Sequence, residues 1–245
     1  MTTREAQEHE PSRRQLPTAG VLTIGQSPRS DDLVAEILSI AGGRLQLLER
    51  GALDGLDREQ VAGLGPRPSG ELLVTKLADG TPVQLDRDLI LARLQEQITN
   101  LEDRGVSATL LLCTGSFPPF RHRRPLLVPS PALRGAVLGL AGGGRVASMV
   151  PLPAQAAQAC RWWEEQGARN PVAVAAYPYG PDPMEEVDRA AGEAASCRGE
   201  RPTVLFLDCF GYTLAMRARA RVRFPGLVVL ARSLAARFLV EVAGA

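Results

Sequence analysis

The chain has 245 residues, 45% of them apolar and only 4% aromatic, and its 28 basic and 27 acidic side chains leave a formal net charge of +1. That length is enough for one large α/β domain or two lobes sharing a core. A near-neutral balance provides no global field to attract nucleic acid or an acidic membrane, although local groups can still hold an anion. The expected partner is a small molecule, with neither nucleic acid nor membrane, and self-association to a homo-oligomer stays open.

The four cysteines, Cys113, Cys160, Cys197 and Cys209, include no pair at CxxC spacing, so no zinc or redox site is expected, and no other metal. Residues 1–18 are polar and without hydrophobic period, which reads as a flexible tail rather than a secretory signal. No uninterrupted apolar stretch reaches the roughly 20 residues that span a bilayer. A cytoplasmic protein with reduced thiols is the resulting expectation.

From residue 19 the chain alternates strand and helix signals. Val21-Leu22-Thr23-Ile24 is a short buried strand. The turn Gly25-Gln26-Ser27-Pro28-Arg29-Ser30 follows, with Ser30 as the expected N-cap of a helix over 31–38. A second strand is expected at 45–48 and a short helix at 57–62. Strands 72–77 and 82–85, joined through Asp79-Gly80, read as a β-hairpin. Residues 86–104 form an amphipathic helix with Leu89, Ile90, Leu94, Ile98 and Leu101 on one side. It leads into the apolar strand that ends at Cys113. The segment from Phe117 to Pro125 is a loop; helix 133–140, strand 145–150, helix 154–166, strand 172–177 and helix 183–196 come next. The strand ending at Cys209, a strand at 227–230 and a helix at 233–242 complete the order. Such alternation implies parallel sheets with right-handed crossovers. The expected class is α/β, two pseudo-symmetric flavodoxin-like lobes with a cleft between them. Lobe 1 spans 19–120 and is completed by 225–245, and lobe 2 spans 121–224.

Cys113 and Cys209 stand out because each ends a strand and precedes a tight turn. In open α/β sheets, ligands bind outside the carboxyl ends of strands. Two thiols at one small substrate imply a two-base proton shuttle, with Cys113 and Cys209 as the catalytic pair. Removing a proton next to a carboxylate needs a base of suitable pKa and stabilisation of the developing charge. The turns after both cysteines are expected to open helices, whose N-termini would lower the thiol pKa values, while Asp208 would raise that of Cys209 by like-charge repulsion. The backbone of Thr114, Gly115 and Ser116, and that of Phe210 and Gly211, would face an anionic substrate. Gln26, Ser27 and Arg29 offer amide, hydroxyl and guanidinium donors to its carboxylate. Pro151, Tyr177 and Asp208 complete the expected wall. The bland readings are a buried, inert thiol for Cys160 and Cys197, a solvated loop for His122, and a plain turn for Gly142-Gly143-Gly144, which lacks the spacing of a dinucleotide fingerprint.

The segments Val21 to Gly25, Cys113 to Ser116, Met149-Val150-Pro151-Leu152-Pro153-Ala154-Gln155, Leu207-Asp208-Cys209-Phe210-Gly211 and Ala231 to Arg237 together resemble the AroM family over nearly the whole chain after the tail. That family is similar to the aspartate/glutamate/hydantoin racemase superfamily, whose two lobes each place one catalytic cysteine over a shared cleft. The resemblance implies 1,1-proton transfer without a cofactor on a small carboxylate or hydantoin-like substrate. Phe210 stands where the superfamily motif has a carboxylate-binding threonine. The same superfamily includes one alternative, a single-cysteine isomerase or decarboxylase, and the alternative from another class is a non-catalytic metabolite-binding protein that has kept the cleft.

Overall fold

The structure, a computed structural model, describes residues 16–245. Residues 1–15 of the expected tail lie outside the described residues. Strands β1 (Thr18–Thr23), β2 (Gln46–Gly51), β5 (Thr109–Leu111) and β6 (Leu126–Leu127) form a parallel sheet in the order β2-β1-β5-β6. Strands β7 (Val146–Val150), β8 (Val172–Ala175), β9 (Val204–Leu207) and β10 (Leu227–Leu230) form a second, in the order β10-β9-β7-β8. An antiparallel hairpin of β3 (Leu72–Lys76) and β4 (Pro82–Asp86) stands apart from both.

Helices α1 (Leu33–Ile40), α4 (Pro129–Ala141) and α8 (Ala231–Val242) fill the space between the sheets. Their Leu33, Ile37, Leu133, Val137 and Leu239 pack with Ala19, Val21 and Leu110 of one sheet and Val204 and Phe206 of the other. The opposite face of the first sheet is covered by α3 (Arg87–Asp103) and the hairpin, that of the second by α6 (Pro183–Ala195) and α7 (Leu214–Arg223). Helix α2 (Arg58–Ala62) is capped by Asp57, and α5 (Pro153–Glu165) sends Trp163 into the shared core, where its indole N–H donates to Ser148 at 2.6 Å. Side chains alternate across each strand with period two, so Leu111 and Cys113 share one face of the first sheet, and Leu205, Leu207 and Cys209 the matching face of the second. The two thiols thus arrive in corresponding places of the two lobes.

The α/β, two-lobed, parallel architecture is the expected one; four details differ. Strand β10 pairs with β9 instead of completing lobe 1, because Leu227–Leu230 lies in register with Val204–Leu207. Only the following helix α8 turns back onto α1 and α4. The chain leaves the first sheet later than residue 120, since β6 pairs with β5. Asp32, not Ser30, occupies the N-cap of α1. Helix α7 was not expected from the sequence: only Met216 and Ala220 are buried in a stretch of alternating arginines, so its apolar stripe is too thin to read.

Candidate functional site

At the carboxyl ends of β5 and β9 a cavity of about 100 Å³ opens between the lobes, and both Cys113 and Cys209 line it. The two turns have the same local geometry. The backbone N–H of Gly115 donates to Cys113 Sγ at 3.3 Å, and that of Gly211 donates to Cys209 Sγ at 3.3 Å. Both places are crowded. A Cβ on Gly115 would approach Leu73 Cδ2 to 2.9 Å, and one on Gly211 would approach the Tyr179 hydroxyl to 2.6 Å.

Neither thiol sits at a helix N-terminus. A loop follows Cys113, and α7 begins only at Leu214, with Thr213 as its cap. The expected lowering of thiol pKa is therefore overturned: burial pushes Cys113 up to about 12 and Cys209 up to about 11, each only partly offset by its glycine N–H. Their expected order is reversed as well. Asp208 does act against the Cys209 thiolate, but Arg29 and Arg232 act for it, whereas Cys209, Glu71 and Asp208 all act against the Cys113 thiolate.

Buried groups hold the Cys209 turn. Arg232, 2% exposed, donates to the Phe210 carbonyl from Nε at 3.1 Å and Nη2 at 2.6 Å, and from Nη1 to Glu36 Oε2 at 2.7 Å. Glu36 in turn accepts the N–H of Leu214 at the start of α7. Across the lobes, Thr114 Oγ1 donates to the Asp208 carbonyl at 3.0 Å. Arg134 of α4 reaches the Asp208 carboxylate at 3.4 Å, and its guanidinium lies 4.3 Å from the Trp162 ring centroid. Burial raises the Asp208 pKa, while Arg134 and a hydrogen bond from Thr114 oppose the rise.

On the far wall, the Arg29 side chain is 4% exposed and paired with Asp31. Burial disfavours its charge, but Tyr179 and Asp31 outweigh that and raise its pKa. Lys76 lies 3.7 Å from Asp31 and over the Tyr179 ring at 4.9 Å. The hairpin roofs the cavity with Leu72, Leu73, Val74 and Thr75. Glu71, beside it, accepts from the Ser116 N–H at 3.1 Å and pairs with Arg87. Gln155 Nε2 of α5 donates to the Leu72 carbonyl at 3.1 Å, tying the roof to the second lobe.

Of the residues singled out from the sequence, Thr114, Gly115 and Ser116 line the cavity beside Cys113, and Arg29, Pro151, Asp208 and Phe210 beside Cys209. Gln26 and Ser27 do not. Gln26 donates to the carbonyls of Leu53 and Leu56 and accepts from the Ala78 N–H, and Ser27 is bound to Asp54, so their polar groups brace the loops. Tyr177 stands behind Tyr179, edge to face at 5.8 Å, and Gly211 acts through its N–H on the sulfur without reaching the cavity wall. Cys160 and Cys197 lie outside the cavity, and His122 is exposed with Nδ1 2.9 Å from the Arg124 carbonyl. Sequence reasoning missed Glu71, Thr75, Arg134, Gln155, Trp162 and Tyr179. A signal existed for Arg134, a lone charge in an otherwise apolar helix. Thr75 carried none, since a threonine in a hairpin strand is ordinary.

Among the described residues, no group of three or more histidine, cysteine or acidic side chains is placed to hold a metal ion, and no helix is long and apolar enough to cross a membrane. No curated protein matches the sequence. Solved structures with a similar fold include an aspartate racemase from Picrophilus torridus, at TM-score 0.59 and 13% identity over 93% of this chain and 94% of that one. Unliganded arylmalonate decarboxylase is similar at TM-score 0.56 and 14% identity over 93% of each chain. A glutamate racemase from Aquifex pyrophilus is similar at TM-score 0.54 and 15% identity over 91% of this chain and 83% of that one. At these identities the likeness establishes the fold, that of the racemase-like two-lobed proteins. The family model described as "AroM protein" matches residues 19–243, and the chain belongs to the AroM family.

Proposed function

We propose that the protein moves the α-proton of a small carboxylate without a cofactor, using Cys113 and Cys209 from opposite sides. The observation that carries this reading is the pair of matched thiol turns lining one cavity. Cys209 is the easier of the two to ionise, so its thiolate takes the α-proton and becomes a thiol. The electron pair left on carbon delocalises into the carboxylate, which Arg29 holds. Cys113 then gives its S–H proton to the other face and is left as thiolate. Arg29, the one cavity-lining cation on the Cys209 side that is nearly fully buried, supports the anionic character of the substrate.

A second reading rests on Cys113 being the harder of the two thiols to ionise, at about 12, so that it keeps its proton tightly held. Such a thiol suits protonation of a carbanion formed by loss of carbon dioxide, and one similar fold is that of arylmalonate decarboxylase. The experiment is incubation in deuterated water with amino acids, hydantoins and substituted malonates, read by NMR for deuterium at the α-carbon and for carbon dioxide release. Expected is exchange without added cofactor, with Cys113→Ser and Cys209→Ser each lowering racemisation by about 10²–10⁴-fold, the usual worth of a positioned base. Racemisation intact in either variant overturns the two-thiol assignment. Binding without exchange or decarboxylation leaves a metabolite-binding protein.

A further inference from the structure

Among the described residues, five side-chain polar atoms are buried without a hydrogen-bond partner, and three belong to residues that line this one cavity: Thr75 Oγ1, Arg134 Nε and Asp208 Oδ1. Buried polar groups are otherwise nearly always paired, so a cluster of unpaired ones marks where a ligand supplies the partners. The three atoms also state what is wanted. Arg134 Nε–H needs an acceptor, Asp208 Oδ1 needs a donor, and Thr75 can serve either way.

Charge separates the cavity into two ends. At the Arg29 end the guanidinium itself lines the cavity, while Asp31, Glu49 and Lys76 lie off its wall, so a carboxylate there meets the cation directly. Around Asp208 the pair with Arg134 is already neutral, their side chains being 4% and 12% exposed. A second carboxylate there would be desolvated against Asp208, and an ammonium would be desolvated against Arg134. A neutral group presenting a donor beside an acceptor meets neither cost. A primary carboxamide has that edge, its C=O for Arg134 Nε and its N–H for Asp208 Oδ1.

Resting on the reading that the cavity takes a small carboxylate, we infer that the substrate is a monoanion, a short carboxylate whose other end is a carboxamide, held by Arg29 and Thr75 at the charged end and by Arg134 and Asp208 at the amide end. The proposal selects against dicarboxylates of the same size.

The probes are malonamate, which has one carboxylate and one carboxamide, and malonate, nearly its equal in size and doubly charged. Calorimetric titration at neutral pH is expected to show malonamate binding about tenfold or more tighter than malonate. Asp208→Asn leaves the amide end with a net positive charge and is expected to reverse that order. Arg134→Gln leaves it negative and is expected to widen the gap. Thr75→Val removes only an unpaired hydroxyl, keeps the fold, and is expected to weaken both probes by a similar factor. Malonate binding as tightly as malonamate, neither probe binding, or a ratio unmoved in both charge variants overturns the assignment. Since binding is read without turnover, malonamate that binds in the expected order but exchanges no α-proton counts against the proton-transfer reading and leaves this one standing.

Discussion

The two thiol turns share one hydrogen bond and differ in almost everything around it. Each sulfur accepts the N–H of the glycine two residues on, at the same 3.3 Å. Beyond that, the Cys113 turn runs into an irregular loop under the hairpin, its Gly115 pressed by Leu73. The Cys209 turn runs into α7 and is gripped through the Phe210 carbonyl by the buried Arg232. Backbone geometry sets where a thiol points, burial raises the pKa of both, and the charges placed around each set the difference between them. One fold can therefore present two thiols alike in position and unlike in acidity.

The largest expected effect comes from removing the grip on one side. Arg232→Leu leaves the Glu36 carboxylate half-buried without its cation and the Phe210 carbonyl without its donors. A loss of about 2–4 kcal/mol is expected by urea denaturation, less than for a fully buried pair because Glu36 keeps some solvent contact. Labelling of Cys209 should rise in the folded protein while that of Cys113 stays the same. Equal loosening of both turns would break the comparison.

Thiol acidity sharpens it. Both cysteines are 9% exposed, so access does not separate them. With Cys209 at about 11 and Cys113 at about 12, alkylation by iodoacetamide is expected to be about threefold faster at Cys209 at any pH below 10, the larger thiolate fraction being partly offset by its weaker nucleophilicity, with both rates still rising there. Faster labelling of Cys113 would reverse the assignment of the first base. The same shifts fix a stability trend. In the unfolded chain these thiols ionise near pH 8.5, so between about pH 8.5 and 11 the unfolded state binds fewer protons and stability falls as pH rises. Below pH 8.5 the contribution is fully present. Cys113→Ala and Cys209→Ala should each flatten that alkaline decline, and by the same amount, as read by melting temperature across pH 8 to 10, because both native thiols stay protonated there.

The smallest expected effect concerns the roof that only the Cys113 side carries. Gln155→Ala removes the bond from α5 to the Leu72 carbonyl and is expected to cost about 1 kcal/mol. Faster hydrogen exchange in 72–76 with none in 204–207 is the expected signature. An unchanged hairpin would mean that Glu71 and Lys76 suffice to hold it.

Much of this was legible before the fold was known, because strand ends, the Asp-Gly turn and the stripe of Ile90, Leu94, Ile98 and Leu101 are local signals. The two cysteines were legible as strand-end residues. The partner of β10 was not, since a short apolar strand matches either sheet equally well and only long-range pairing chooses. Gln26 and Ser27 misled for a related reason. A polar turn next to a strand end offers donors to a ligand and to neighbouring loops alike, and here Leu53, Asp54 and Leu56 claimed them. The far side of the site came from α4, α5 and the hairpin, elements whose approach to the cavity no local pattern records.

The glycine N–H bonds to sulfur carry a consequence for the cavity. A sulfur that uses a lone pair to accept an N–H leaves its own hydrogen free for another direction, and with both thiols held protonated at neutral pH the pocket stores two mobile hydrogens. An arriving anion meets two S–H donors and no thiolate. For the proton transfer proposed above, one hydrogen has to leave for solvent before the first abstraction, so the resting protein waits one proton too full.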